Sequence, residues 1–366
     1  MSYLLKDLYS PLFYDKLSDV LTKTIPDFDK KKFIIQIYST EFESKELKQR
    51  MKHTTKVMNS FMPEDYAEGV KFIEKTINQL RAEGIGEDSL PYMFIPDYIE
   101  TYGIHDFKNS VKALEFTTQF VSCEFAVRPF ILKYGEAMIS EMQKWSKHKN
   151  HKVRRLASEG SRPRLPWAMA IPFLKKDPKT ILPILETLRN DDSEYVRRSV
   201  ANSINDIAKD HPSIVLDIAS RWSGLSKETD AIVKHGSRTL LKQGHPEILK
   251  HYGLNDKGIH LHDFKILTPK VKIGSDLIFS FSVENTNLTE QKVRIEYAIY
   301  YMKQNGQLSK KVFKISERPY PAGSKISIIR KQKFVLITTR KFYTGLHKIS
   351  LIINGIEKDV YVFELF

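Results

Sequence analysis

Two carboxylates in this chain each stand four residues from an arginine. Glu124 and Arg128 lie in SCEFAVRPF (Ser122–Phe130), and Arg155 and Glu159 lie in VRRLASEG (Val153–Gly160). Positions i and i+4 share a helix face, so each pair sets a carboxylate beside a guanidinium. Alone, such pairs are surface ion pairs worth about 0.2–0.5 kcal/mol each. The residues beyond Glu159 give them another meaning. The chain continues Gly160, Ser161, Arg162, Pro163, Arg164, Leu165, Pro166, Trp167. One Gly and two Pro break a helix, and a local rule broken inside a regular scaffold marks a functional place. The resulting extended turn would bring two more guanidiniums and a flat aromatic near a carboxylate. Arginine forks fit phosphate, and tryptophan can stack on a base or lie against a sugar. Together these residue types suit bond cleavage at a sugar carbon beside a phosphate backbone.

The elements that must position these residues form a repeat. The string VRR at Val153 returns at Val196, 43 residues later, in VRRSVANSINDIAKDHP, which keeps its helical pattern for several turns. Each copy follows a loop, Ser146–His151 or Asn190–Glu194, and each loop follows another helix. Helix pairs of about 40 residues with Asp before the second helix match the HEAT period. Asp191 or Asp192 can cap that helix, and a weaker third copy spans Asp230–Leu249. Stacked pairs make a curved solenoid. Arginines repeated at the start of each second helix would line it with a basic track. Arg197 and Arg198 have the acids of their own loop at hand. Arg154 and Arg155 have only His148, Lys149, His151 and Lys152 near them, so they read as free for phosphate.

Helical periodicity covers residues 1–254. In Glu64–Ala82, Val70, Ile73, Ile77 and Leu80 recur at three-to-four spacing, and Val111–Arg128 and Pro178–Asn190 read the same way. From about Ile259 the period becomes two. Ile278, Ser280 and Ser282 alternate with Phe279, Phe281 and Val283, and Asn-Gly hairpin signals stand in Gln304–Gln307 and Ile353–Ile356. About seven short strands predict an immunoglobulin-like sandwich over residues 255–366. The chain is therefore read as an all-α HEAT-like solenoid followed by an all-β sandwich.

Net charge is +14, from 58 Lys and Arg against 44 Asp and Glu. Residues 255–366 hold 19 basic and 10 acidic side chains, so the smaller domain carries +9 of it. An excess of this size favours a polyanionic partner. Lys310, Lys311, Arg330, Lys331, Lys333, Arg340 and Lys341 carry much of the sandwich charge, either as edge-strand protection or as a phosphate-gripping arm. Cys123 is the only cysteine, which excludes an intramolecular disulfide and a cysteine-based zinc cluster. No signal-like or membrane-spanning run is present, so a cytoplasmic location, associated with the nucleoid through DNA, is expected. Gly-rich phosphate loops, H-E-x-x-H and G-x-S-x-G are absent from the sequence. His260 and His262 read as ordinary strand residues.

The strings SCEFAVRPFI and HKVRRLASEGSRPRLPWA together resemble the AlkC branch of the HEAT-repeat DNA glycosylases, and the resemblance extends over the whole chain with its β-sandwich tail. It implies excision of cationic N-alkylated bases, such as 3-methyladenine and 3-methylcytosine, from double-stranded DNA, without drawing the lesion into a deep pocket. The family's active-site positions match Glu124, Arg155, Glu159 and Trp167. On this reading Lys152, Arg154, Arg162, Arg164, Arg128 and Arg198 contact DNA. A monomer that needs neither cofactor nor metal is expected. The alternative is a non-catalytic HEAT scaffold that binds DNA or an acidic protein.

Overall fold

The structure, a computed structural model, describes residues 4–39, 41–86, 90–335 and 341–366. The chain packs as two compact units. One is Met1–His211 with Trp222–Gly236, and the other is Pro212–Arg221 with Ser237–Phe366. No helix among the described residues is long and apolar enough to cross a membrane.

The first unit is helical. Its N-terminal part closes around buried aromatics, with Tyr14, Phe33, Phe94 and Phe120 fully enclosed. Further along, the 43-residue recurrence becomes a stack. Helix Glu136–Trp145 packs on helix His151–Gly160, and helix Leu182–Leu188 packs on both His151–Gly160 and Glu194–Ile207. The second helices of successive repeats lie against each other, His151–Gly160 on Glu194–Ile207 and that in turn on Lys227–Gly236. A hydroxyl pair joins two of them: the Ser158 hydroxyl donates to Ser199 Oγ at 2.7 Å. Gly160 has a packing reason, because a Cβ there would stand 2.5 Å from Val127 Cγ1. Asn150 caps its helix by accepting from the Lys152 N–H at 2.8 Å.

The strands of the second unit are β1 Ile259–Ile266, β2 Lys270–Val271, β3 Asp276–Asn285, β4 Gln291–Met302, β5 Leu308–Tyr320, β6 Lys325–Lys333, β7 Gly345–Ile353 and β8 Ile356–Leu365. They form two sheets, β1-β3-β6 and β2-β8-β7-β4-β5. The period of two is realised in β3, where Leu277, Phe279, Phe281 and Val283 are buried in the core between the sheets. Both Asn-Gly signals are hairpin turns. Gly306 has φ +77° between β4 and β5, while Asn354 and Gly355 have φ +46° and +81° between β7 and β8, as a type I′ turn requires. That second turn explains why Ser237–Leu254 belongs with the sandwich. A Cβ on Gly355 would stand 2.5 Å from Leu249 Cδ1, and the Asn354 amide donates to the Asn255 carbonyl at 2.5 Å. The basic strands β5 and β6 are edge strands, as are β1 and β2, and Arg330, Lys331 and Lys333 are exposed on β6. Arg340 lies outside the described residues.

Candidate active site

The periodicity that predicts one helix over Val111–Arg128 is interrupted in the structure. Helix Phe107–Thr117 stops, a turn comes next, and helix Val127–Tyr134 begins. Within the turn the Ser122 hydroxyl donates to Glu124 Oε2 at 2.8 Å, a local bond of the kind that competes with helix formation. Glu124 therefore does not pair with Arg128. Its carboxylate forms an ion pair with Arg155, which also donates to Ser122 Oγ at 3.1 Å. The Arg155 guanidinium lies 4.3 Å from the centre of the Tyr195 ring. Burial would depress its pKa, but the carboxylates of Glu124 and Glu159 outweigh burial and raise it.

Glu159 closes the last turn of the same helix and is only 5% exposed. Arg162 Nη1 donates to its Oε1 at 2.6 Å, and Arg155 Nη2 stands 3.9 Å from the same oxygen. Arg162 turns its Nε to Asp206 at 2.9 Å, and Lys209 reaches Asp206 at 3.0 Å. The result is a row of alternating charges, Glu124, Arg155, Glu159, Arg162 and Asp206, spanning the turn, one repeat helix and the next. Buried charges persist when paired and hydrogen-bonded in this way. Each guanidinium holds a carboxylate in one orientation, which fixes Glu159 at the end of the helix.

The proline-containing segment beyond it is nailed down from two sides. Arg128 is fully buried, and its guanidinium donates to the carbonyls of Met169 (2.7 Å), Gly160 (2.9 Å) and Arg162 (2.8 Å). Desolvation, and then the neighbouring Arg162, push its pKa down to about 10. From helix Leu47–Asn59, Lys48 Nζ donates to the Trp167 carbonyl at 2.8 Å. This framework presents Trp167, 83% exposed and held at φ +64°. A bulky residue in the left-handed region costs on the order of 1–3 kcal/mol, and such strain concentrates at functional sites.

Several residues expected to contact DNA are otherwise engaged. Arg128 is a strut of the turn, not a surface cation. Lys152 is buried. Arg154, read from its own loop as free of acids, grips Asp191 with two nitrogens, at 2.6 and 2.9 Å. Arg162 is buried between Glu159 and Asp206, and Arg164 is ion-paired with Asp210. Only Arg198 is exposed and outside any ion pair among these six. The physical reason is common to most of them: the acids come from the next repeat. Asp191, Asp206 and Asp210 lie 37, 44 and 46 residues beyond their arginines, close to one repeat length. That spacing is present in the sequence and is a signal that locates Asp206. Ser122, Tyr195 and Lys48 carry no comparable signal.

Residues 111–222 match the family described as "DNA alkylation repair enzyme". Residues 260–366 match "Uncharacterised protein YhaZ, C-terminal Ig-like domain". The chain is similar to protein YhaZ of Bacillus subtilis (strain 168), with 42% identity over 362 residues and 99% of each chain covered. The solved structure of the Pseudomonas fluorescens alkylpurine DNA glycosylase AlkC, bound to DNA containing an abasic-site analogue, superposes over 100% of both chains, with a TM-score of 0.91 and 34% identity. The chain belongs to the AlkC family of DNA alkylation-repair proteins. Among AlkC-type chains, then, this one has a HEAT-like helical region followed by an immunoglobulin-like sandwich.

Proposed function

We propose that this protein is a DNA glycosylase of base excision repair that hydrolyses the N-glycosidic bond of cationic N-alkylated bases, 3-methyladenine and 3-methylcytosine, in duplex DNA. The observation that carries this reading is Glu159, a buried carboxylate clamped by Arg162 at 2.6 Å, on the segment that goes on to present an exposed tryptophan held at positive φ. A cationic base is already a good leaving group and needs no general acid. When the C1′–N bond breaks, its electron pair neutralises the base and leaves positive charge on the deoxyribose. A preoriented carboxylate stabilises that oxocarbenium-like state. Water then adds to C1′, and Glu159 takes its proton and passes it to solvent. Glu124, fixed by Arg155, supports the same charge from a second side. Trp167 packs on the sugar or the lesion through its π face, which also favours cations. The lesion need not enter a deep pocket, because the charge to be stabilised forms on the sugar. Exposed cations such as Arg198 position the backbone.

Glu159→Gln keeps the shape and removes the charge. Release of 3-methyladenine from methylated duplex DNA should fall on the order of 100-fold or more, while DNA binding by gel shift is retained. Release at the wild-type rate would remove Glu159 from the mechanism. No release by the wild-type protein would favour a non-catalytic scaffold.

A further inference from the structure

Beside Trp167 lies a cleft of about 210 Å³ whose lining, Trp167 apart, the proposed cleavage chemistry does not use. That is about seven water volumes at ~30 Å³ each, room for one purine-sized ring system. Trp167 forms one edge, and Phe125, Met51, Met93 and Met169 contribute flat or polarisable apolar surface of the kind that packs on π systems. The cleft adjoins the charged row, because Ser122 lines it while also bonding Glu124 and Arg155.

Two acids face this apolar space. Asp97 and Glu100, three apart on helix Phe94–Tyr102, both line the cleft. Asp97 is 6% exposed, and neither residue forms an ion pair among the described residues. The cations Lys48 and Lys52 line the same cleft, and Lys48 is already committed to the Trp167 carbonyl and the Phe125 ring. Burial, and then repulsion from Asp97, push Glu100 up to about 7, a rise that Lys52 and Lys48 oppose without cancelling it. Near neutrality the Glu100 carboxyl therefore has both a protonated and an ionised form within reach. Such a group can donate an O–H to a ring nitrogen and accept an N–H from an adjacent amine. Side by side, those two partners are the edge of an adenine-type base.

We propose that this cleft receives the free alkylated adenine after excision, with Glu100 and Asp97 recognising its ring nitrogen and exocyclic amine and Trp167 and Phe125 flanking its rings. This inference rests on the glycosylase reading and adds to it a site for the departing base. The cleft is distinct from Glu159, so the base leaves the cleaved sugar toward an acceptor of its own, and accumulated product should compete there.

Equilibrium dialysis of the full-length protein against free 3-methyladenine tests this directly. Saturable 1:1 binding is expected, at least tenfold weaker for 3-methylhypoxanthine, in which a carbonyl replaces the amine. Glu100→Ala should weaken binding of 3-methyladenine at least tenfold. Met51→Trp, which fills the cleft without touching its charge, should do the same, with circular dichroism confirming that both variants are folded. Equal binding of the two bases, or unchanged binding in both variants, would overturn the proposal, as would no saturable binding. A protein that releases bases from DNA yet binds no free base refutes only the cleft. A protein that binds the free base through Glu100 but releases none from DNA supports the cleft's ligand and refutes the glycosylase reading.

Discussion

Trp167 and Glu100 each sit in a state that a residue chosen for stability alone would avoid. Trp167 is at φ +64° with its ring 83% exposed, so its backbone conformation is costly and its side chain recovers little by burial. Trp167→Gly and Trp167→Ala should lose base-release activity alike, but they should differ in stability. Glycine adopts the left-handed region freely and alanine does not. In urea melts the glycine variant should be about 1 kcal/mol more stable than the alanine variant, and equal stabilities would mean that the turn relaxes in solution. Glu100 makes a pH prediction. Its pKa is about 7 in the folded protein against an ordinary 4.5, so between those values the folded state holds a proton that the unfolded state has lost. Stability from this group is full below about 4.5 and is lost as pH rises through about 7. Glu100→Gln removes the dependence. Its Tm relative to wild type should therefore rise between about pH 5 and about pH 8, and a constant difference would count against the raised pKa.

At the scale of elements, the arginine-aspartate contacts join one repeat to the next. Arg162 is the most consequential, because it separates two buried carboxylates, Glu159 and Asp206. Arg162→Met removes one of two cationic partners from each, leaving Glu159 with Arg155 at 3.9 Å and Asp206 with Lys209 at 3.0 Å, and breaking a buried pair in this manner costs up to about 3–5 kcal/mol. Urea unfolding should show a loss of that order. Arg154→Met should cost less, since Asp191 keeps a bond from the Ser193 N–H and the contact is nearer solvent. A loss below about 1 kcal/mol for Arg162→Met would mean that Arg155 and Lys209 suffice for the two carboxylates. These contacts also show what is legible in the sequence. The 43-residue period exposes the helix stack, and the strand period and Asn-Gly turns expose the sandwich, because burial writes itself into spacing. The helix break at Thr118–Ala126 is not legible, since the apolar pattern continues across it and the local Ser122–Glu124 bond within it leaves no mark in the spacing. The fate of the arginines is hidden for a related reason. Each has its own loop as its sequence neighbourhood, whereas stacked repeats supply partners from the next one.

For the whole molecule the question is what the excess positive charge does, now that Arg128, Arg154, Arg162 and Arg164 are matched internally. Arg154, Arg162 and Arg164 are paired with acids of the helical unit and Arg128 is buried against carbonyls, which leaves the exposed excess to the sandwich, where residues 255–366 carry +9. Arg330, Lys331 and Lys333 are exposed together on β6, an edge strand, and two roles compete for them. Edge cations keep strands of different molecules from pairing, whereas a phosphate-gripping arm would release counterions from DNA. The two differ in salt dependence. Replacing all three by Gln in the full-length protein should, for a phosphate-gripping strand, weaken binding to duplex DNA and make the slope of log K against log salt shallower by about 0.9 for each phosphate no longer neutralised. For edge protection alone, affinity and slope would stay at the wild-type values and light scattering would rise with protein concentration. The phosphate role is the expected outcome. An edge strand needs only one or two charges to discourage pairing, and the sandwich holds nearly twice as many basic as acidic side chains.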